Sequence, residues 1–111
     1  MERLELVETS TFTRQIAELL GDEDYGEFQA RLAANPCVGA LIKGGGGIRK
    51  IRVPVGARGK RGGARVIYFW AVRKDVILLL YAYAKNVLAD LTPKQVAQLA
   101  KVVKEEFRDE K

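Results

Sequence analysis

The stretch ARVIYFWAVRKDVILLLYAYA, Ala64–Ala84, decides how this chain folds. Two apolar runs rich in β-branched and aromatic residues, Ala64–Val72 and Val76–Ala84, are joined by Arg73-Lys74-Asp75, a link of hairpin length. The second run is the longest apolar segment in the sequence. It is about half the roughly 18–20 residues a membrane-spanning helix needs, so it reads as a buried strand. An antiparallel hairpin is therefore expected at the centre of the molecule.

Working upstream, Ile48, Ile51 and Val53 support a strand over Ile48–Val53 that also carries Arg49, Lys50 and Arg52. Pro54 to Gly63 is a glycine- and cation-rich loop, too polar to bury. The four glycines Gly44–Gly47 lack the trailing Lys-Ser/Thr of a nucleotide-binding loop and read as a flexible lead into the strand. Before them lie two helical patterns. Ser10 or Thr11 can cap the first, with Phe12, Ile16, Leu19 and Leu20 on one side. Gly21 ends it, and Asp22 starts the second, whose Tyr25, Phe28 and Leu32 keep the helical period until Asn35-Pro36. Leu4, Leu6 and Val7 suit a short first strand. Downstream, Thr92-Pro93-Lys94-Gln95 combines an N-cap threonine, a proline at the first helical position and a capping-box glutamine. Val96, Leu99, Ala100, Val103 and Phe107 make the apolar stripe of that last helix. The order β-α-α-β-β-β-α predicts an α+β fold: a small twisted antiparallel β-sheet with two N-terminal helices and a C-terminal helix. Helices packed on one face would leave the other partly free.

At 111 residues and 48% hydrophobic content the chain is long enough for one domain, 1–111, and one core. The net charge of +5 is unevenly spread. Residues 1–42 carry three basic and eight acidic side chains, residues 43–74 ten basic and no acidic ones, and residues 75–111 six of each. A stretch so cationic repels itself unless an anion lies against it, and an anionic polymer is the partner it predicts. The N-terminus Met1-Glu2-Arg3-Leu4-Glu5 lacks the basic-then-apolar profile of a secretory signal, and the single Cys37 forms no internal disulfide. Both observations point to the cytoplasm. Cys37 reads as inert.

Histidine is absent altogether. Catalysis by a Ser/His/Asp or Cys/His pair is thereby excluded, as are most zinc sites. Asp75 and Asp90 are the only carboxylates near the last two strands, too few for a two-metal nuclease, so neither metal nor cofactor is expected. Any catalysis here must use Lys, Arg, Tyr, Asp or Glu.

Four segments carry a resemblance: GIRKIR (Gly47–Arg52), GKRGGARVIYFW (Gly59–Trp70), YAYAKN (Tyr81–Asn86) and DLTPKQ (Asp90–Gln95). With the strand–helix–helix start, they resemble the RelE/ParE superfamily of toxins, and most of all the RelE/HigB-type mRNA endonucleases of type II toxin–antitoxin pairs. The resemblance implies mRNA cleavage in the ribosomal A site. It also implies neutralisation by a cognate antitoxin, which in many such pairs carries a helix-turn-helix DNA-binding domain and through which the toxin oligomerises. Carried onto this sequence, the family's active face would comprise Arg49, Lys50 and Arg52, then Arg65, then Tyr83, Lys85 and Asn86. Arg58, Lys60 and Arg61 would extend the cationic surface toward ribosomal RNA. Where the family often has glutamate after the Lys-Asn pair, this chain has Val87.

The chemistry suits those residue types. RNA carries its own nucleophile, the 2′-OH, so a nuclease must align it, accept its proton, neutralise the phosphorane and protonate the leaving 5′-oxygen. Lys50 or Lys85 would act as base or acid, Arg65 with Arg52 would clamp the phosphate, and Tyr83 would stack on a base or transfer a proton. Arg49 and Lys50 cannot both face substrate, because neighbours on a strand point opposite ways. Tyr68 and Trp70 share a side and read as core. Two other classes fit the same sequence. A ParE-like gyrase inhibitor shares the fold but does not need a cation cluster on the sheet, and composition alone also permits a non-catalytic ribosome- or RNA-binding domain.

Overall fold

The computed structural model describes residues 4–55 and 63–107. Strand β1 (Glu5–Glu8) leads into helices α1 (Ser10–Leu19) and α2 (Asp22–Ala34). Then follow β2 (Ala40–Leu41), β3 (Ile48–Val53), β4 (Ala64–Ala71), β5 (Val76–Ala84) and helix α3 (Pro93–Glu106). The five strands form one sheet in the order β1-β5-β4-β3-β2. The α+β class and the central hairpin are as the sequence predicts. Strand β4 ends one residue early, because Val72–Lys74 winds into a 3₁₀ turn closed by Asp75 in the left-handed conformation.

Four features differ from the sequence reading. The sheet is mixed: β2 to β5 are antiparallel, but β1 pairs with β5 in parallel, Glu5 opposite Val76 and Glu8 opposite Leu79. The connection that a parallel pair requires runs through α1 and α2 to the far edge of the sheet and back across β2, β3 and β4. Second, the two-residue β2 pairs with β3, and the glycine run closes this hairpin rather than serving as a loose lead. Gly44, Gly46 and Gly47 all take positive φ, and a Cβ on Gly47 would stand 2.9 Å from the Phe69 ring. Third, the N-cap of α1 is Thr9, whose hydroxyl accepts from the Phe12 N–H at 3.0 Å.

The fourth difference bears on the site. The helices lie on both faces of the sheet. One face packs Ile51, Val53, Val66, Tyr68, Ile77 and Leu79 against Phe12, Ile16, Phe28 and Leu32 of α1 and α2. The other packs Ile48, Ile67, Leu78 and Leu80 against Val96, Leu99 and Val103 of α3. Phe107, just past the end of α3, meets Phe69 with ring centroids 5.7 Å apart. Coverage from both sides explains why β5 shows no alternation of apolar and polar residues: Ile77, Leu78, Leu79 and Leu80 are all buried.

Strand β5 outruns β1, and α1 satisfies its bare edge. Thr9 Oγ1 donates to the Leu80 carbonyl at 3.1 Å, and Gln15 Oε1 accepts from the Ala82 N–H at 2.8 Å. The helix α3 begins as predicted, with Thr92 accepting from the Gln95 N–H and Gln95 accepting from the Thr92 N–H. Burial and the Glu8 carboxylate push the Tyr25 phenol above its ordinary value, and its hydrogen bond to Glu8 ties α2 to β1.

Candidate nucleic-acid interface

Directly opposite residues on antiparallel strands share a face. Arg52 on β3 stands opposite Arg65 on β4, and Arg65 stands opposite Tyr83 on β5. The three form a row across adjacent strands, on the face that α3 covers only in part. The helix runs from Asp90 and Leu91 toward Phe69, over the Ile48–Ile67–Leu78 end of the sheet. The row occupies the other end, where Arg52 is exposed.

Tyr83 reaches this row through an irregularity. The register shifts between Ile67 and Tyr68, so that Leu80 of β5 has no partner on β4. Below the bulge Leu78 faces α3 and Leu79 faces α1. Above it Ala82 faces α1 and Tyr83 lies on the α3 side. Without the extra residue, simple alternation would send Tyr81 and Tyr83 to the helical-hairpin side.

Two further details seat the row. Arg31 of α2 donates to the Arg52 carbonyl at 3.2 Å, bracing the end of β3. The Gly63 carbonyl accepts from the Lys85 N–H at 3.1 Å, joining the start of β4 to the end of β5. Gly63 has φ +56°, and a Cβ there would lie 2.6 Å from the Val53 carbonyl oxygen. Only glycine permits that approach beside Arg65.

Lys50 lies on the same face, two residues before Arg52, and its Nζ is 3.1 Å from Asp90 Oδ1. Asp90 also accepts from the Leu91 N–H at 2.9 Å. These two hydrogen bonds, with the charges of Lys50 and Lys85, hold the Asp90 carboxyl below its ordinary value. The pair is therefore intact at neutral pH and is lost only below the ordinary carboxylate range. A cleft lined by Leu41, Ile42, Lys50, Asp90, Leu91 and Val96 opens beside it. A second cleft, by α2, is lined by Asp22, Glu23, Asp24 and Glu27 against the single cation Arg31, a net negative set that repels phosphate.

Tyr83 is only 6% exposed, and its hydroxyl is buried with no hydrogen-bond partner. Burial chiefly, and then the Asp90 charge, push this phenol above its ordinary value, while Arg65 pulls the other way. The hydroxyl thus keeps its proton at neutral pH and is a donor, not a base. A ring so enclosed does not stack on a base in this conformation; the half-buried Tyr81, 6.1 Å away between centroids, is the more open of the two. An orphaned buried hydroxyl destabilises the fold, so Tyr83→Phe is expected to raise the unfolding free energy by about 1 kcal/mol. If the hydroxyl transfers a proton in catalysis, the same variant loses activity; denaturant titration and a cleavage assay on one preparation read both.

The remaining expected residues divide. Arg49 points to the opposite face, where its guanidinium donates to the Cys37 carbonyl at 3.2 Å and the Gly39 carbonyl at 2.8 Å. It braces the α2–β2 connection and takes no part in the row. Lys85 and the exposed Asn86 follow β5 at the Tyr83 end. Arg58, Lys60 and Arg61 lie outside the described residues. Tyr68 is core, its hydroxyl donating to the Pro36 carbonyl and accepting from the Gly39 N–H, both at 2.8 Å. Asp90 is the residue that sequence reasoning did not place on this face. Its position two residues before the Thr92 cap, at the mouth of a helix that packs on the sheet, was the available signal. Among the described residues, no cluster of His, Cys, Asp or Glu could hold a metal ion.

The family described as RelE toxin of the RelE/RelB toxin–antitoxin system matches residues 10–111. The chain belongs to the RelE toxin family. Solved structures agree on the fold of this RelE-family chain. The E. coli RelBE toxin–antitoxin complex is similar at TM-score 0.57 and 16% identity, over 74% of this chain and 96% of that one. A mutant of E. coli toxin RelE in the free state is similar at TM-score 0.56 and 17% identity, over 92% and 98% of the two chains. The isolated E. coli RelE toxin gives TM-score 0.53 at 16% identity, over 90% and 99%. No helix of the described residues is long and apolar enough to cross a membrane.

Proposed function

We propose that this chain is the toxin of a type II toxin–antitoxin pair and acts as an mRNA endonuclease in the ribosomal A site, halting translation in the cytoplasm. The observation that carries the reading is the row Arg52–Arg65–Tyr83 with Lys50 beside it. Two arginines placed directly opposite each other on a sheet offer two guanidinium groups to one anion, and an anion held by both offsets their mild mutual repulsion. A phosphodiester is that anion, and two guanidinium forks fit its equatorial oxygens.

Cleavage then needs no metal. A base accepts the 2′-OH proton, the 2′-oxygen attacks phosphorus, and the 5′-oxygen leaves with a proton from an acid. The products are a 2′,3′-cyclic phosphate and a 5′-hydroxyl. Arg52 and Arg65 stabilise the charge that grows on the phosphorane. Lys50 and Lys85 supply the proton-transfer groups, and Tyr83 a protonated hydroxyl. Arg58, Lys60, Arg61 and Asn86 serve to dock on RNA. Family membership and the likeness to a toxin–antitoxin complex support a cognate antitoxin. That partner would contribute an acidic or apolar segment and a helix-turn-helix domain.

Inducing the protein and mapping transcript ends tests the reading. Cuts positioned by codon within translated mRNA are expected. A DNA damage response without cuts would instead indicate gyrase poisoning, and neither outcome would indicate a non-catalytic RNA-binding domain.

A further inference from the structure

Among the described residues, a carboxylate stands on the cationic face where a phosphate is needed. Asp90 Oδ1 contacts Lys50 Nζ at 3.1 Å. The same carboxylate feels the charge of Lys85 and is felt by the phenol of Tyr83, which in turn senses Arg65. Asp90 thus touches Lys50, one of the groups assigned to the reaction, although it begins the approach to α3 and belongs to no strand. It remains 67% exposed, and Lys50 34%. A pair so open to water is weak and exchanges partners readily.

Resting on the functional reading above, we propose that Asp90 is an internal stand-in for the RNA phosphate: it occupies the anion position beside Lys50 in the free chain and is displaced when RNA binds. Its carboxylate lowers the affinity of the face for RNA and keeps Lys50 from binding other anions. Asp90 is accordingly a positioning residue, acting through Lys50.

The test is equilibrium binding of a single-stranded RNA made uncleavable by 2′-deoxy substitution, at several salt concentrations. Asp90→Asn removes the charge but keeps a side-chain oxygen for the Leu91 N–H, so the turn before α3 survives. It is expected to bind RNA about fivefold more tightly, the most a surface pair costs to release. The log–log salt slope should steepen by about 0.7, because no carboxylate takes up a counterion on release. In a Lys50→Met background, the same substitution should change nothing, because the effect passes through Lys50. A gain that persists in that background is a general field effect and overturns the proposal. So does an unchanged affinity with a lowered melting temperature, which would make the pair a brace for α3. The functional reading fails separately. If the unaltered chain does not bind the RNA at low salt, the proposal falls while the mapping of transcript ends still decides the functional reading. If Arg65→Ala binds as well as the parent, the reading and the proposal fall together. Weaker binding by Arg65→Ala with no gain in Asp90→Asn overturns only the proposal.

Discussion

Replacing Arg65 by alanine is expected to reduce mRNA cleavage by roughly 10²–10³-fold, the loss typical when one donor to a developing oxyanion is removed. Arg65 occupies the middle of the row, opposite Arg52 on one side and Tyr83 on the other. No neighbour can take over its position, because each strand presents one residue per register step to this face. Stability should change by less than about 1 kcal/mol, because the side chain is half-buried and its removal relieves the opposition to Arg52. Arg65→Lys keeps the charge without the planar fork, so it should recover only part of the activity. Cleavage of ribosome-bound mRNA in purified translation extracts, alongside thermal melts, separates these effects. Full activity in Arg65→Ala would remove the row from the mechanism.

The largest stability effect is expected at Phe12. Its side chain is fully buried between α1 and the sheet, within the cluster that includes Ile16, Phe28, Leu32, Val66 and Leu79. The ring also lies 6.2 Å from that of Tyr25, so one truncation empties the junction of both N-terminal helices. Phe12→Ala should cost about 3–5 kcal/mol, a large share of the roughly 5–15 kcal/mol that holds a domain together. Urea titration would show the midpoint falling with little change in slope. A loss below about 1.5 kcal/mol would mean that α1 can collapse onto the sheet without it. Because Thr9 and Gln15 hold the edge of β5, RNA binding should disappear with the fold and not before.

The fold was legible wherever neighbours along the chain decide the structure. The hairpin of Ala64–Ala84 declares itself through strand-forming residues and a link too short for anything else. The start of α3 declares itself through Thr92, Pro93 and Gln95, which satisfy one another locally. The side of the sheet to which α3 returns was not legible from its own stripe, since an apolar stripe fits either face. The run Ile77–Leu80 held a clue, because four consecutive buried residues require cover on both sides. The parallel pairing of β1 depends on a connection through α1 and α2 and back across β2, β3 and β4, which no local pattern encodes.

The same division runs through the candidate site. Arg52 and Lys50 could be placed on one side of β3 by alternation, and Arg49 on the other. That Arg65 meets Arg52, and that Tyr83 meets Arg65, depends on register. Register in turn depends on the bulge at Leu80 and the approach permitted by Gly63. Asp90 became visible only when α3 was laid across the sheet, because its contact with Lys50 spans 40 residues of sequence.

By itself, then, the amino-acid sequence determined the segment Ala64–Ala84 as a hairpin, the concentration of cations before and within it, and the exclusion of histidine-based chemistry. These are properties of composition and of contacts between near neighbours. The tertiary structure alone decided which cations share a face, that Tyr83 joins them while Arg49 does not, and that a carboxylate stands among them. Each of those outcomes turns on a strand register or a helix side. Both are set by packing between residues far apart in the chain, where a shift of one residue reverses the face.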